Sequence, residues 1–109
     1  MNRFPRRAQV VDGYSFPSMR EARRYGQLAF LLRAGEISRL EVHPEYPVEI
    51  NDQPFTTYTA DFRYRTKDGK IVIEDVKSTG TKKDAAYRLR KKACELYYGI
   101  TVDEIILSK

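Results

Sequence analysis

The chain has one cysteine, Cys94, and one histidine, His43, among its 109 residues. A lone cysteine excludes an internal disulfide and any multi-cysteine zinc site, and a lone histidine argues against a soft-metal centre. A bound metal is therefore expected to sit on oxygen, which means magnesium, manganese or calcium. No apolar run is long enough to cross a bilayer, and no secretory hydrophobic segment follows the basic start. A soluble intracellular protein with no membrane partner is the expectation. Internal repeats, low-complexity segments and an interdomain linker are lacking too. The length then suits one domain over residues 10–109, preceded by a basic arm over 1–9 with Arg3, Arg6 and Arg7 around Pro5.

Aromatic residues are plentiful, with eight tyrosines and five phenylalanines as material for one modest core. The formal charge of +5 conceals a pattern. Residues 1–33 carry seven Lys/Arg against two acids, residues 34–62 one against six, and residues 76–92 seven against one. Basic blocks around an acidic middle suit a polyanion held over a metal site, because the cations neutralise phosphates while the acids hold metal. A charge run taken alone reads first as a solvated surface.

The periodicities predict the order of elements. Val10-Val11 and residues 14–16 flank Asp12-Gly13, a short hairpin. Ser18 caps a helix with Glu21 at capping-box spacing, Tyr25, Leu28 and Leu32 form its apolar stripe, and Gly35 ends it. Residues 40–50 alternate as a strand that Pro44 and Pro47 must bend, bulge or confine to an edge. Asn51 to Pro54 turn the chain into a strand over 55–65, and Lys67-Asp68-Gly69-Lys70 turn it again into a strand over 71–77. Thr81 or Asp84 caps a second helix that runs to Tyr98 and closes at Gly99, with Ala86, Leu89, Ala93 and Leu96 toward the core. Residues 100–107 form the last strand. The sum is an α/β chain with a mixed sheet, since the last strand must return across the second helix.

The strand over 71–77 carries the chemistry. Alternation sends Ile71, Ile73, Asp75 and Lys77 to one face and Val72, Glu74 and Val76 to the other, and the preceding hairpin brings Asp61 near. Hydrolysis of a phosphodiester needs a polarised phosphoryl oxygen, an activated water and cationic help for the developing charge. Asp61 and Asp75, with a backbone carbonyl near Val76, are the candidate metal ligands, and Lys77 is the candidate to orient the water or stabilise charge. Each has a plainer reading: Asp75 and Lys77 as an ion pair, Asp61 bonded to Arg63 or Arg65 or capping a loop, Glu21 bonded back to its own helix cap. Glu21 nevertheless heads the stripe that packs on the sheet, where a carboxylate needs a cationic partner, either a metal on Asp75 or Lys77. Glu74 reads as structural, paired with a basic neighbour, His43 as a surface or satisfied core residue, and Tyr87, Tyr97 and Tyr98 as core or rim. Arg20, Arg24, Lys82, Lys83, Arg88, Lys91 and Lys92 are the expected phosphate contacts, which position rather than specify.

Asp61 followed by Asp75-Val76-Lys77 after a hairpin, with Glu21 in the preceding helix, resembles the motif of the PD-(D/E)XK nuclease superfamily. More narrowly, Asp12-Gly13, Phe16, Ser18 with Glu21, Tyr25, Gly35-Glu36-Ile37, Tyr58 with Ala60-Asp61-Phe62, Tyr64, Glu74 to Lys77 and residues 87–91 are similar to a family of small phage and prophage proteins labelled as a domain of unknown function. The resemblance implies a restriction-endonuclease-like αβββαβ core, with a mixed four-stranded sheet flanked by helices and an N-terminal hairpin. It implies a magnesium- or manganese-dependent endodeoxyribonuclease in which Asp61, Asp75 and Glu21 serve the metal and Lys77 the chemistry. By likeness to Holliday junction resolvases, it implies a homodimer acting on branched DNA in the cytoplasm of a bacterial host. Two departures stand out: Ala60 replaces the proline of the superfamily's name, and Asp75 replaces the more usual glutamate, one methylene shorter. A non-catalytic nucleic-acid-binding module on the same fold is the alternative.

Overall fold

The computed structural model describes residues 9–78 and 84–107. The arm expected over 1–9, Thr81 as a helix cap, and Lys82 and Lys83 lie outside the described residues, except that Gln9 opens the first strand. Strands β1 (Gln9–Val11) and β2 (Tyr14–Phe16) form the expected hairpin. Asp12 and Gly13 join them with φ of 53° and 82°, the two positive values that a type I′ turn requires.

Helix α1 (Met19–Arg33) starts where Ser18 Oγ accepts the Glu21 N–H at 3.1 Å. It ends in a Schellman motif: Glu36 N–H reaches Leu31 C=O and Gly35 N–H reaches Leu32 C=O, with Gly35 left-handed at φ 79°. Its buried face is Glu21, Tyr25, Leu28 and Ala29, while Leu32 in the last turn is 40% exposed.

Two long strands predicted from the sequence are each divided. Residues 40–50 become part of β3 (Ile37–Val42) and β4 (Glu45–Ile50), and residues 55–65 become most of β5 (Gln53–Thr59) and β6 (Phe62–Thr66). β3 and β6 pair antiparallel, as do β4 and β5, and the two pairs are continuous through His43 N–H to Asp61 C=O (2.9 Å) and Ala60 N–H to Pro44 C=O (3.1 Å). The result is one long ribbon bent at His43-Pro44 and Ala60-Asp61. Pro44 cannot donate to a ladder, and His43 adopts φ 56°.

The main sheet has the order β3-β6-β7-β8, with β7 at Ile71–Lys77 and β8 at Asp103–Ile106. β7 is antiparallel to β6 and parallel to β8, which makes the sheet mixed as expected. Helix α2 (Ala85–Tyr98), capped by Asp84 and ended by Gly99, supplies the crossover. The α1 side buries Phe16, Tyr25, Leu28, Phe62 and Tyr64 against Val72 and Val76, and the α2 side buries Val48, Tyr58, Ala60, Ile73, Cys94 and Val102. No described helix is long and apolar enough to cross a membrane.

α2 is rotated from its predicted orientation. Of the positions expected toward the core, Ala93 is half-buried against the α2-side cluster, whereas Ala86 is exposed and Leu89 and Leu96 are 59% and 73% exposed; Cys94 is fully buried. Positions 87, 91 and 94 recur at helical spacing and face inward, and Tyr98, one turn further on, is 41% exposed. Tyr87 and Lys91 find acidic partners there, and the Tyr98 hydroxyl donates to Pro47 C=O. Hydrogen-bonding partners at the sheet end and on the ribbon, rather than aliphatic bulk, set the rotation.

Candidate functional site

The bend of the ribbon brings three elements together. Glu21 comes from the first turn of α1, His43 from the end of β3, and Asp61 from the junction of β5 and β6. One donor atom from each lies within 4.8 Å of the others. Glu21 Oε2 is 2.5 Å from His43 Nε2, so the inward-facing carboxylate meets imidazole rather than Lys77 or its own helix cap. His43 is held by its backbone bond to Asp61 and by the Phe16 ring, 5.9 Å between centroids.

Asp61 Oδ2 accepts the Val76 N–H at 2.7 Å. The Val76 amide thus joins the site as a donor to Asp61. Asp61 N–H in turn reaches Asp75 Oδ1 at 3.1 Å, and Tyr87 donates its hydroxyl to Asp75 Oδ2 at 2.9 Å. Both Asp75 oxygens are thereby engaged, and Asp75 stands beside the trio rather than in it. The Tyr87 hydroxyl also lies 3.1 Å from Glu104 Oε2, on the residue paired with Asp75 across β7 and β8. Lys77 Nζ sits 3.8 Å over the Tyr87 ring, a cation–π contact on the same face as Asp75, as the alternation predicted.

Burial is the main electrostatic fact. It pushes the Glu21 carboxyl above its ordinary value, with Asp61 adding to the rise and His43 opposing it. Asp61 is raised by the same cause against the Val76 N–H, Lys77 and His43, and Asp75 against the Tyr87 hydroxyl and Lys77. Three neighbouring carboxyls are thus held under a desolvation cost that a divalent cation would offset. Glu21, His43 and Asp61 fit such an ion: two carboxylates balance its charge, and the donors come from three separately anchored segments.

A family profile described as protein of unknown function, DUF1064, matches residues 1–107. The chain belongs to the DUF1064 family. Nothing among curated proteins or among solved structures matches it.

In this DUF1064 chain the basic residues expected at phosphate divide sharply. Arg24 is half-buried and turned inward: its Nε and Nη2 bind the two Glu74 oxygens at 2.8 and 2.7 Å, and Glu74, 1% exposed, also accepts the Tyr64 hydroxyl. Glu74 has the basic partner expected of it, and Arg24 is drawn inward because burying a carboxylate requires one. Arg20 is half-buried. Lys91 is turned toward Glu95 and Glu104 at 3.5 and 4.0 Å. Arg88 and Lys92 are exposed, and with Tyr87, Lys91, Glu95 and Glu104 they line a cavity of about 350 Å³. His43 and Tyr87 are the residues the sequence reading missed. The signal for His43 was its place beside Pro44, where the strand pattern breaks.

Proposed function

We propose that this DUF1064 protein is a divalent-metal-dependent DNA endonuclease of the PD-(D/E)XK kind. Its expected role is recombination or replication of phage DNA in the cytoplasm of a bacterial host, with branched DNA as the first substrate class to test. The observation that carries this reading is the convergence of Glu21, His43 and Asp61 donors within 4.8 Å, with Asp75 hydrogen-bonded to Asp61 and Lys77 alongside.

Glu21, His43 and Asp61 would hold the cation, magnesium or manganese. When bound, such an ion polarises a phosphoryl oxygen and makes water nucleophilic near neutral pH. The chain's own residues do the rest. Asp75 fixes the β5–β6 junction through the Asp61 N–H, and Tyr87 fixes Asp75. Lys77, positioned by the Tyr87 ring, supplies positive charge where negative charge grows on the phosphoryl oxygens. Arg88 and Lys92 on α2 hold flanking phosphates. The described residues of one chain hold one such site, so paired incisions on two strands call for a homodimer.

The test is cleavage of a labelled four-way junction beside a linear duplex of the same arms, with magnesium or manganese. Native protein is compared with Asp61→Ala, Asp75→Ala and Lys77→Ala, and circular dichroism confirms that each variant is folded. Cutting by the native chain alone is the expected result. One observation favours the alternative of a non-catalytic nucleic-acid-binding module: Asp75 and Lys77 both spend their polar groups on Tyr87 or on the backbone. That reading gives salt-sensitive binding of both substrates and no cleavage under any divalent metal.

A further inference from the structure

We propose that His43 is a direct metal ligand beside Glu21 and Asp61, and that its nitrogen makes the site select manganese over magnesium. The inference rests on the reading above only in placing a divalent cation at this trio; it does not depend on what the site cleaves.

The imidazole is built in. Its backbone N–H is tied to Asp61 C=O at 2.9 Å, its ring packs on Phe16, itself fully buried, and its Nε2 faces Glu21 Oε2 at 2.5 Å. A histidine on the surface by accident would not be fixed from three directions. The Glu21–His43 contact places an imidazole nitrogen beside a carboxylate oxygen, so that each can offer a lone pair to one cation, and two carboxylates with a neutral imidazole balance a charge of +2.

The donor type decides which ion. Magnesium favours oxygen ligands in near-ideal octahedral geometry and keeps several waters. Imidazole suits first-row transition ions, which also bind N/O sites more tightly along the series beginning with manganese. A site of Asp61, Asp75 and a backbone carbonyl would be all oxygen. Replacing Asp75 and the carbonyl by His43 and Glu21 puts one nitrogen in the set and moves the preference toward manganese.

The experiment uses the full chain without DNA. Calorimetric titrations with Mn2+ alone and Mg2+ alone are run on native protein and on His43→Asn, and pulsed EPR on the Mn2+ complex looks for nitrogen coupled to the metal. Asparagine is chosen because it tolerates the left-handed backbone at this position, φ 56°. His43 is the only histidine, so growth on 15N-histidine assigns any imidazole signal to it without a variant. Expected are tighter binding of Mn2+ than of Mg2+, a 14N modulation that changes to the 15N pattern on labelling, and its loss in His43→Asn. Outer-shell partners of metal ligands alone are worth about 10–100-fold in affinity, so His43→Asn should weaken Mn2+ by at least about tenfold while changing Mg2+ less. Mn2+ bound with no nitrogen modulation, or an unchanged Mn2+/Mg2+ ratio in the variant, overturns the role of His43 and leaves the nuclease reading standing. Failure of both ions to bind overturns both.

Discussion

Removing the Arg24 guanidinium should strand the Glu74 carboxylate and leave the fold marginal. Arg24 grips both oxygens of Glu74 at 2.7 and 2.8 Å, and Glu74 is 1% exposed in the middle of β7. In Arg24→Ala that carboxylate keeps the Tyr64 hydroxyl as its one hydrogen-bond partner among the described residues. Breaking a buried pair by deleting one member costs about 3–5 kcal/mol, mainly because the other charge is stranded. Total stability for a domain of this kind is about 5–15 kcal/mol, so the variant should be marginal at room temperature. Urea unfolding followed by circular dichroism reads the loss. Replacing all three groups together, as Arg24→Met/Glu74→Met/Tyr64→Phe, removes the charges and the orphaned hydroxyl, and should recover most of the stability, because apolar substitutes for a buried pair are often neutral or better. The same folded triple variant settles Arg24 as a DNA contact. A residue that neutralises a phosphate contributes about one unit to the slope of log K against log salt, and here the slope should not change. A loss below about 1 kcal/mol in Arg24→Ala would mean an exposed pair and would refute the internal placement.

Three further outcomes follow from burial. Leu89→Lys and Leu96→Lys should each change stability by less than about 0.5 kcal/mol, since both side chains are exposed and lysine matches leucine as a helix former; the core positions predicted by hydrophobic periodicity would instead cost about 2–5 kcal/mol even on truncation to alanine. The Cys94 thiol, fully buried and pushed up to about 11, should resist Ellman's reagent in the native protein and react once per chain on unfolding. Because burial raises Asp61 in the folded state, the native chain binds protons more tightly than the unfolded one, and metal-free stability falls as pH rises through the raised folded value. Asp61→Asn should therefore be more stable than native protein at pH 7 in EDTA, with the difference vanishing as pH falls toward the ordinary carboxylate value of 3.8; a difference independent of pH would refute the assignment. Added metal should reverse the order, stabilising the native chain by about 2.7 kcal/mol at a hundredfold excess over Kd.

Local signals carried most of the fold. Asp12-Gly13, Ser18 with Glu21, Gly35 and Asp84 each specify a turn or cap through their own backbone or side-chain chemistry, and each stands where that chemistry requires. Strand alternation correctly separated Asp75 and Lys77 from Glu74, and a buried Glu74 needed a cation. What periodicity could not supply was which cation. Arg24 counted as surface charge in the sequence because nothing local distinguishes it from Arg20 or Arg23; only the packing of α1 on β7 selects it. The rotation of α2 was hidden for a similar reason. Leu89 and Leu96 looked like core, whereas Tyr87 and Lys91 face inward through partners on β7 and β8 that lie distant in sequence.

His43 shows how the backbone builds the site before any side-chain chemistry is considered. Pro44 has a carbonyl and no N–H, so the ladder can cross it only by using that carbonyl, and Ala60 N–H does so. The neighbouring bond, His43 N–H to Asp61 C=O, then makes His43 and Asp61 partners across the ribbon at its bend. Asp61 is fixed a second time, because its carboxylate caps the Val76 N–H and its own N–H reaches Asp75. Glu21 arrives from the other side on a helix whose start is set by Ser18. The proline that interrupts the strand pattern is thus also what lets two donors from different strands stand side by side, facing a third from α1. A straight ribbon with an uninterrupted ladder would keep the same residues and lose their convergence within 4.8 Å.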